Sequence, residues 1–182
     1  MIAAQRLAVG ERYSLGLRSL HWTVVALLVA QFAIAWMMPE VHRGTEPLGL
    51  ISWHLSIGVT IWSVMLVRVF VRMAGPVPRP PGDLPRVLRV LSRGTHYAFY
   101  LVLLVLPFLG YANASARGWT VNLFGVAPLP ALAPMGADWA MALGDVHKAV
   151  ATVLLGLIGL HVAGALHHLL VLRDATVRRI TG

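Results

Sequence analysis

Four long apolar stretches, separated by short polar or proline-rich segments, dominate the pattern of the chain. Each is about 20 or more mainly apolar residues long, the length of helix that crosses a bilayer core about 30 Å thick. The last stretch exceeds one bilayer thickness and is expected to project from one side. The predicted spans cover residues 20–38, 51–73, 95–114 and 143–172. The pattern therefore predicts an all-α integral membrane protein, a bundle of four transmembrane helices that forms a single domain over residues 1–182.

The composition supports a membrane protein and narrows its chemistry. Apolar residues make up 58% of the chain and charged residues 12%, against roughly 45–50% and about 25% in soluble domains. The mean hydropathy is +0.73. There is no cysteine, which excludes disulfides, iron–sulfur clusters, thiolate metal sites and covalently attached haem. The net charge of +8 is explained by Lys and Arg that flank membrane spans, so no nucleic-acid partner is expected.

The distribution of Lys and Arg predicts the orientation of the bundle. Twelve of the 15 lie on the side that holds both termini and the loop between the second and third spans. Since positively charged segments stay in the cytoplasm, both termini are predicted to be cytoplasmic. The twelve are Arg6, Arg12, Arg18, Arg68, Arg72, Arg79, Arg86, Arg89, Arg93, Arg173, Arg178 and Arg179, and the external three are Arg43, Arg117 and Lys148.

Histidines inside the spans are the most informative residues, because ionisable side chains are costly there and usually functional. His147 and His161 lie fourteen residues apart on the fourth span. That spacing turns a helix to within about 40° of four full turns and advances it by about 21 Å. The two imidazoles therefore share one helix face but are too far apart to bind one metal ion. This spacing favours two cofactors at different depths.

Each of these histidines has a candidate partner at its own depth. His54 and His147 both lie about one turn inside the external ends of their spans, and His21 and His161 both lie near the cytoplasmic boundary. Two imidazoles that face each other across a helical bundle can occupy both axial positions of a haem iron. The four histidines are therefore predicted to ligate two haem groups.

Two further residues are candidates for the cofactor sites. Gly58 follows His54 by one turn and would leave room for a porphyrin, although small residues are also common wherever membrane helices pack closely. Arg68 lies fourteen residues after His54, on nearly the same face and close to the cytoplasmic level. Its guanidinium could pair with haem propionates, and the alternative is that it extends to the lipid headgroups from the helix end.

Three other histidines lie near the cytoplasmic side. His96 begins the third predicted span, where no partner at its depth remains, so an interfacial or second-layer position is expected. His167 and His168 lie beyond the apolar core, where they could be interfacial or could support proton and quinone chemistry. A quinone site beside His161, His167 and His168 is the functional alternative.

The motifs around these histidines resemble those of the bacterial di-haem cytochrome b561 family. They are Ser19-Leu20-His21-Trp22, Trp53-His54-Leu55-Ser56-Ile57-Gly58, Val146-His147-Lys148, Gly159-Leu160-His161 and the tandem His167-His168. The resemblance covers nearly the whole chain. It implies a multi-pass protein of the bacterial inner membrane, two b-type haems ligated by His21, His54, His147 and His161, and ubiquinone as a redox partner.

The resemblance also suggests a superoxide:ubiquinone oxidoreductase, but the charge of the external loops does not favour an anionic substrate. The external segments contain three cations and four carboxylates, Glu40, Glu46, Asp138 and Asp145. Their net charge is therefore −1, whereas a positive surface would attract an anion. The sequence does not identify the periplasmic electron donor. If the protein is an enzyme, it is an oxidoreductase.

Two alternatives stand beside a free-standing electron-transfer cytochrome. One is a haem-bearing membrane anchor subunit of a dehydrogenase or hydrogenase complex. The other is a His-lined ion transporter, which would be expected to carry carboxylates in the span interiors. The interiors of the four predicted spans contain no Asp or Glu, since Asp145 lies at the external end of the fourth.

Overall fold

The computed structural model describes residues 12–42, 44–75 and 85–181. Within these ranges four helices are long and apolar enough to cross a membrane, which confirms the predicted four-helix class. Of the basic residues used to predict the orientation, Arg6, Arg43 and Arg79 lie outside the described ranges. The helices are α1 (Leu15–Met37), α2 (Leu50–Ala74), α3 (Arg86–Ala116) and α4 (Asp138–His167), which continues into a π-turn (His168–Leu172); a short α5 (Arg178–Thr181) follows.

The observed helices begin earlier than the predicted spans, because hydropathy detects only the apolar part of a helix. The largest difference is in α3, which begins at Arg86 rather than near Thr95. Pro85 precedes its first residue, a position where the missing N–H of proline is harmless. In α1 the Ser14 hydroxyl oxygen accepts a hydrogen bond of 3.3 Å from the Leu17 N–H and caps the helix.

The helices pack in chain order, with close contacts between α1 and α2, α2 and α3, and α3 and α4. The main buried cluster lies among all four helices, but α4 contributes one fully buried residue to it, Leu154. The cluster comprises Val24, Ile57, Ile61, Met65, Leu103, Leu106 and Leu154.

The contact between α3 and α4 is fixed by an amide and a glycine. The Asn113 side-chain amide donates to the backbone carbonyls of Ala140 and Met141, at 3.2 and 2.9 Å. A Cβ atom at Gly144 would lie 2.9 Å from the Asn113 amide nitrogen, so this close approach requires glycine. The contact sets the position of α4 along α3 one turn before His147.

A short β-hairpin covers one end of the bundle, which we call the hairpin end. Strands β1 (Asn122–Leu123) and β2 (Ala127–Pro128) pair antiparallel. Phe124 and Gly125, the first two residues of the three-residue loop between the strands, have positive φ angles of 51° and 74°. The buried Ser56 hydroxyl joins the hairpin to α2, because it donates to the Asn122 carbonyl at 3.1 Å and accepts from the Phe124 N–H at 3.0 Å.

The C-terminal residues fold back on α1 at the opposite end, which we call the tail end. The Arg18 guanidinium donates to the Thr181 carbonyl at 2.9 Å, and the Trp22 indole N–H donates to the Ile180 carbonyl at 3.3 Å. These bonds place the chain terminus beside the turn of α1 that carries His21.

Candidate functional site

Two pairs of histidines face each other across the bundle. At the hairpin end the rings of His54 in α2 and His147 in α4 have centroids 6.1 Å apart. At the tail end the ring centroids of His21 in α1 and His161 in α4 are 6.3 Å apart. The structure therefore brings together the same two pairs that matching depths selected in the sequence.

The separation within each pair fits two axial ligands of one metal ion. A metal–imidazole bond is about 2.0 Å long, and the ring centroid lies about 1.1 Å from the ligating nitrogen, so two imidazoles on opposite sides of one ion would have centroids about 6.2 Å apart. Aromatic rings in direct edge-to-face contact also have centroids about 4.5–7 Å apart, so the distance agrees with axial ligation without being specific to it. In both pairs a haem iron could be held between the two rings.

The hydrogen bonding of the hairpin-end pair also fits metal ligation. His147 Nδ1 lies 3.0 Å from the Leu106 carbonyl oxygen. Since a carbonyl only accepts, Nδ1 carries the proton and Nε2 is left with a free lone pair, as in most metal-bound histidines. His54 Nδ1 is buried without a hydrogen-bond partner among the described residues, and such atoms are rare in native proteins.

Gly110 in α3 positions the His147 ring, and the sequence analysis did not identify it. A Cβ atom at residue 110 would lie 3.0 Å from both Cε1 and Nδ1 of His147. The absence of a side chain therefore lets the Cε1–Nδ1 edge of the imidazole approach α3 and reach the Leu106 carbonyl, one turn earlier. In the sequence Gly110 is one small residue in an apolar span, a common feature with many other causes.

Gly58 lies beside a glutamine of α1. A Cβ atom at this position would lie 3.5 Å from the Gln31 amide nitrogen of α1, and that amide donates to the His54 carbonyl at 3.0 Å. Gly58 thus lies in the close contact between α1 and α2. Its role in lining a haem pocket stays a prediction.

Arg68 lies inside the bundle at the level of the tail-end pair. Its guanidinium Nη1 donates to the Leu17 carbonyl oxygen at 2.7 Å, one turn before His21. This bond directs the side chain toward α1, and the residue is half-buried. The position suits a partner for a haem propionate near His21.

The expectation that His96 begins the third helix was wrong, and the residue contacts His161 in the second-layer position that was one of the two expected. Its ring centroid lies 5.4 Å from that of His161, and the Phe99 ring contacts His161 at the same distance. The physical reason is the early start of α3 at Arg86, which places His96 almost three turns inside the helix rather than at its first turn. His96 Nδ1 lies 2.6 Å from the Ser92 carbonyl oxygen. Since a carbonyl only accepts, Nδ1 carries the proton and Nε2 is the nitrogen left for another contact.

The tandem histidines have unlike surroundings. Their ring centroids are 6.4 Å apart, but the His167 residue is exposed and His168 is half-buried. His168 Nδ1 lies 2.7 Å from a carboxylate oxygen of Asp174. Asp174 is a second residue that the sequence analysis missed, because its contact depends on the reversal of the chain after the π-turn.

A membrane bundle of four helices with histidines paired across its interior is the architecture of a b-type membrane cytochrome. The family model of prokaryotic cytochrome b561 matches residues 12–182. The chain belongs to this family and is a multi-pass bacterial membrane haem protein of electron transport.

Curated relatives agree with this assignment over nearly their full lengths. The chain is 31% identical over 175 residues to a protein of Yersinia pestis named probable superoxide oxidase CybB, covering 93% of this chain and 96% of the relative. It is also 31% identical over 183 residues to cytochrome b561 homolog 2 of Escherichia coli (strain K12), covering 94% and 92% of the two chains. Cytochrome b561 homolog 1 of the same organism is 25% identical over 166 residues, with coverage of 88% and 92%.

Proposed function

We propose that this protein is a di-haem b cytochrome that transfers electrons across the bacterial inner membrane, from a periplasmic donor to ubiquinone. The observation that carries the proposal is the presence of two histidine pairs, with ring centroids 6.1 and 6.3 Å apart, at opposite ends of the bundle. When bound, each haem would supply one-electron redox chemistry, which none of the side chains provides.

Each haem would be held by residues of different helices. His54 and His147 would ligate the iron at the hairpin end, and His21 and His161 the iron at the tail end. Arg68 would pair with a propionate at the tail end, since a guanidinium binds carboxylates with charge-assisted hydrogen bonds. Among the described helices α4 packs closely on α3 and far less closely on α1 and α2. The porphyrins would lie between α4 and these two helices, at the levels of the two histidine pairs.

The orientation follows from the charges around the two ends. Basic side chains of the described residues are concentrated at the tail end, where they precede α1, end α2, begin α3 and follow the π-turn. By the preference of positive segments for the cytoplasm, the tail end faces the cytoplasm and the hairpin end faces the periplasm. Electrons would enter at the His54/His147 level and leave at the His21/His161 level.

A quinone site at the tail end would use His161, His167 and His168. Reduction of a quinone consumes protons, and imidazoles on the cytoplasmic side are suited to deliver them. His168 supports this assignment better than His167 does, because it is half-buried and oriented by a carboxylate.

Superoxide is the donor that we propose for this chain, by analogy with the relative named probable superoxide oxidase. The hairpin end supplies local cations despite the net negative charge of the external loops. Arg117 lies over the Trp119 ring, with its guanidinium carbon 5.6 Å from the ring centroid, and donates to the Asn113 side chain at 3.0 Å. A fixed cation of this kind could attract an anion locally.

Membership of a family of haem proteins argues against the ion transporter.

The test is reduction of the oxidised protein by superoxide from an enzymatic source, in detergent and with a ubiquinone analogue present. The wild type should produce quinol at a rate that follows the superoxide supply, and His54→Ala should block haem reduction. Quinol formation that is the same with and without the protein would contradict the proposed donor. Failure of the reduced protein to reduce the quinone would contradict the proposed acceptor.

A further inference from the structure

A histidine–carboxylate pair lies at the end of α4, separate from the two histidine pairs. His168 Nδ1 and Asp174 Oδ2 are 2.7 Å apart, and both side chains are largely shielded, with 16% and 25% of their surfaces exposed. The other Asp174 oxygen accepts a bond of 2.8 Å from the Thr176 backbone N–H. A carboxylate only accepts hydrogen bonds, so His168 Nδ1 is protonated and its Nε2 is the nitrogen left to act on another molecule.

The backbone around this pair is unusual in two ways. α4 changes to a π-turn at His168–Leu172, a conformation that is rare and is found mostly at functional sites. Arg173 then adopts a left-handed conformation, with φ 51° and ψ 37°, which carries a conformational cost for any residue other than glycine. This reversal brings Asp174 back to His168, and the Asp174 N–H donates to the His168 carbonyl at 3.2 Å.

The segment after Asp174 connects the pair to the tail-end haem site. Its last residues accept hydrogen bonds from Arg18 and Trp22 of α1. The Trp22 ring in turn contacts the His21 ring, with centroids 5.3 Å apart. The pair and the His21/His161 level therefore belong to one connected structure at the same end of the bundle.

We infer that Asp174 is a positioning residue that holds His168 as a proton donor to a bound quinone. This inference rests on the proposed reduction of quinone at the tail end. Reduction of one quinone to the quinol takes two electrons, which come from the periplasmic donor, and two protons. His168 Nε2–H gives one proton to a quinone oxygen, and the ring regains it from cytoplasmic water. The second quinone oxygen takes its proton from cytoplasmic water.

The ionisation of Asp174 supports this role. Burial by itself raises the pKa of Asp174, but hydrogen bonds from Thr176 and His168 outweigh it and hold the pKa below its ordinary value. The side chain is therefore a carboxylate at neutral pH. A fixed negative charge on Nδ1–H orients the ring and stabilises the positive charge that the ring carries before it donates its proton.

The experiment measures how fast the pre-reduced protein is oxidised by a short-chain ubiquinone analogue, as a function of quinone concentration. Asp174→Asn should slow the maximal rate about tenfold or more, a part of the roughly 10²–10⁴-fold that a general acid contributes. The haem spectrum and the half-saturating quinone concentration should stay unchanged. Asp174→Glu keeps the carboxylate and should restore most of the rate. Asp138→Asn, the same change at the exposed start of α4, is the matched control. This variant should be oxidised by the quinone analogue at the wild-type rate.

The results separate this inference from the proposed quinone site. If the quinone analogue oxidises the His168→Phe variant at the wild-type rate, the proposed quinone site itself is wrong. If oxidation is slow in His168→Phe but has the wild-type rate in Asp174→Asn, only the proposed role of Asp174 is wrong. A change in half-saturating concentration without a change in maximal rate would also overturn it, because Asp174 would then act in binding. Loss of the haem spectrum in both Asp174 variants would show a merely structural role and contradict the inference.

Discussion

Substitution of Gly110 by alanine perturbs a single ligand of the hairpin-end pair. The added Cβ would lie 3.0 Å from both Cε1 and Nδ1 of His147, whereas carbon atoms in favourable contact are about 3.5–4.0 Å apart. The imidazole must therefore withdraw from α3 by about 0.5 Å. Gly110 and Leu106 lie one turn apart on the same face of α3, so this withdrawal also moves the ring away from the Leu106 carbonyl.

The hydrogen bond to Leu106 would then lengthen from 3.0 Å to about 3.5 Å, where it is largely lost. A hydrogen bond from Nδ1–H makes an imidazole more basic and so favours the oxidised metal. A typical hydrogen bond contributes about 1 kcal/mol, which corresponds to about 40 mV for a one-electron centre. Gly110→Ala should raise the midpoint potential of one haem by up to about 40 mV and leave the other unchanged.

Optical redox titration of the purified protein measures both potentials. Gly94→Ala is the matched control, since it introduces the same methyl group into the same helix at a position with no atom within 4 Å of the new Cβ. Its two potentials should equal those of the wild type. The role of Gly110 would be refuted if Gly110→Ala also titrates like the wild type while His147→Ala loses a haem.

Four other substitutions test further parts of the account. His54→Ala should remove the hairpin-end haem and His21→Ala the tail-end haem; if both variants lose the same spectral component, the pairing of helices is wrong. Arg68→Leu should lower the potential of the tail-end haem alone, by about 50–100 mV, because a nearby cation favours the reduced centre. Equal shifts of both haems in a redox titration would contradict the propionate contact. Ser56→Ala removes two hydrogen bonds that hold the hairpin and should destabilise the protein by about 1–3 kcal/mol. The effect should be measured as a lower thermal stability and a faster proteolysis of the hairpin. Ser63→Ala, on the exposed face of α2, should show neither effect.

The histidine pairs could be predicted from the sequence because they depend only on helix geometry and on the thickness of the bilayer. A spacing of fourteen residues fixes both the shared face of His147 and His161 and their separation along α4. Bilayer boundaries then select partners on the other helices by depth alone. No knowledge of how the helices are arranged around one another was needed.

The contacts of His96, Gly110 and Asp174 could not be predicted in this way. His96 was misplaced because the first turns of α3 are charged and hydropathy does not detect them. Gly110 matters only because α3 and α4 pack closely at this level. Asp174 reaches His168 only through a π-turn and a left-handed residue, neither of which has a reliable sequence signal.

The number of haems per chain tests the central claim most directly. The purified protein should contain two b-type haems per polypeptide when haem is measured as its pyridine complex and protein by amino-acid analysis. Acid acetone should extract both haems, because the chain has no cysteine to attach them. A preparation that saturates at one haem per chain, or binds none, would contradict the claim that each histidine pair ligates its own iron.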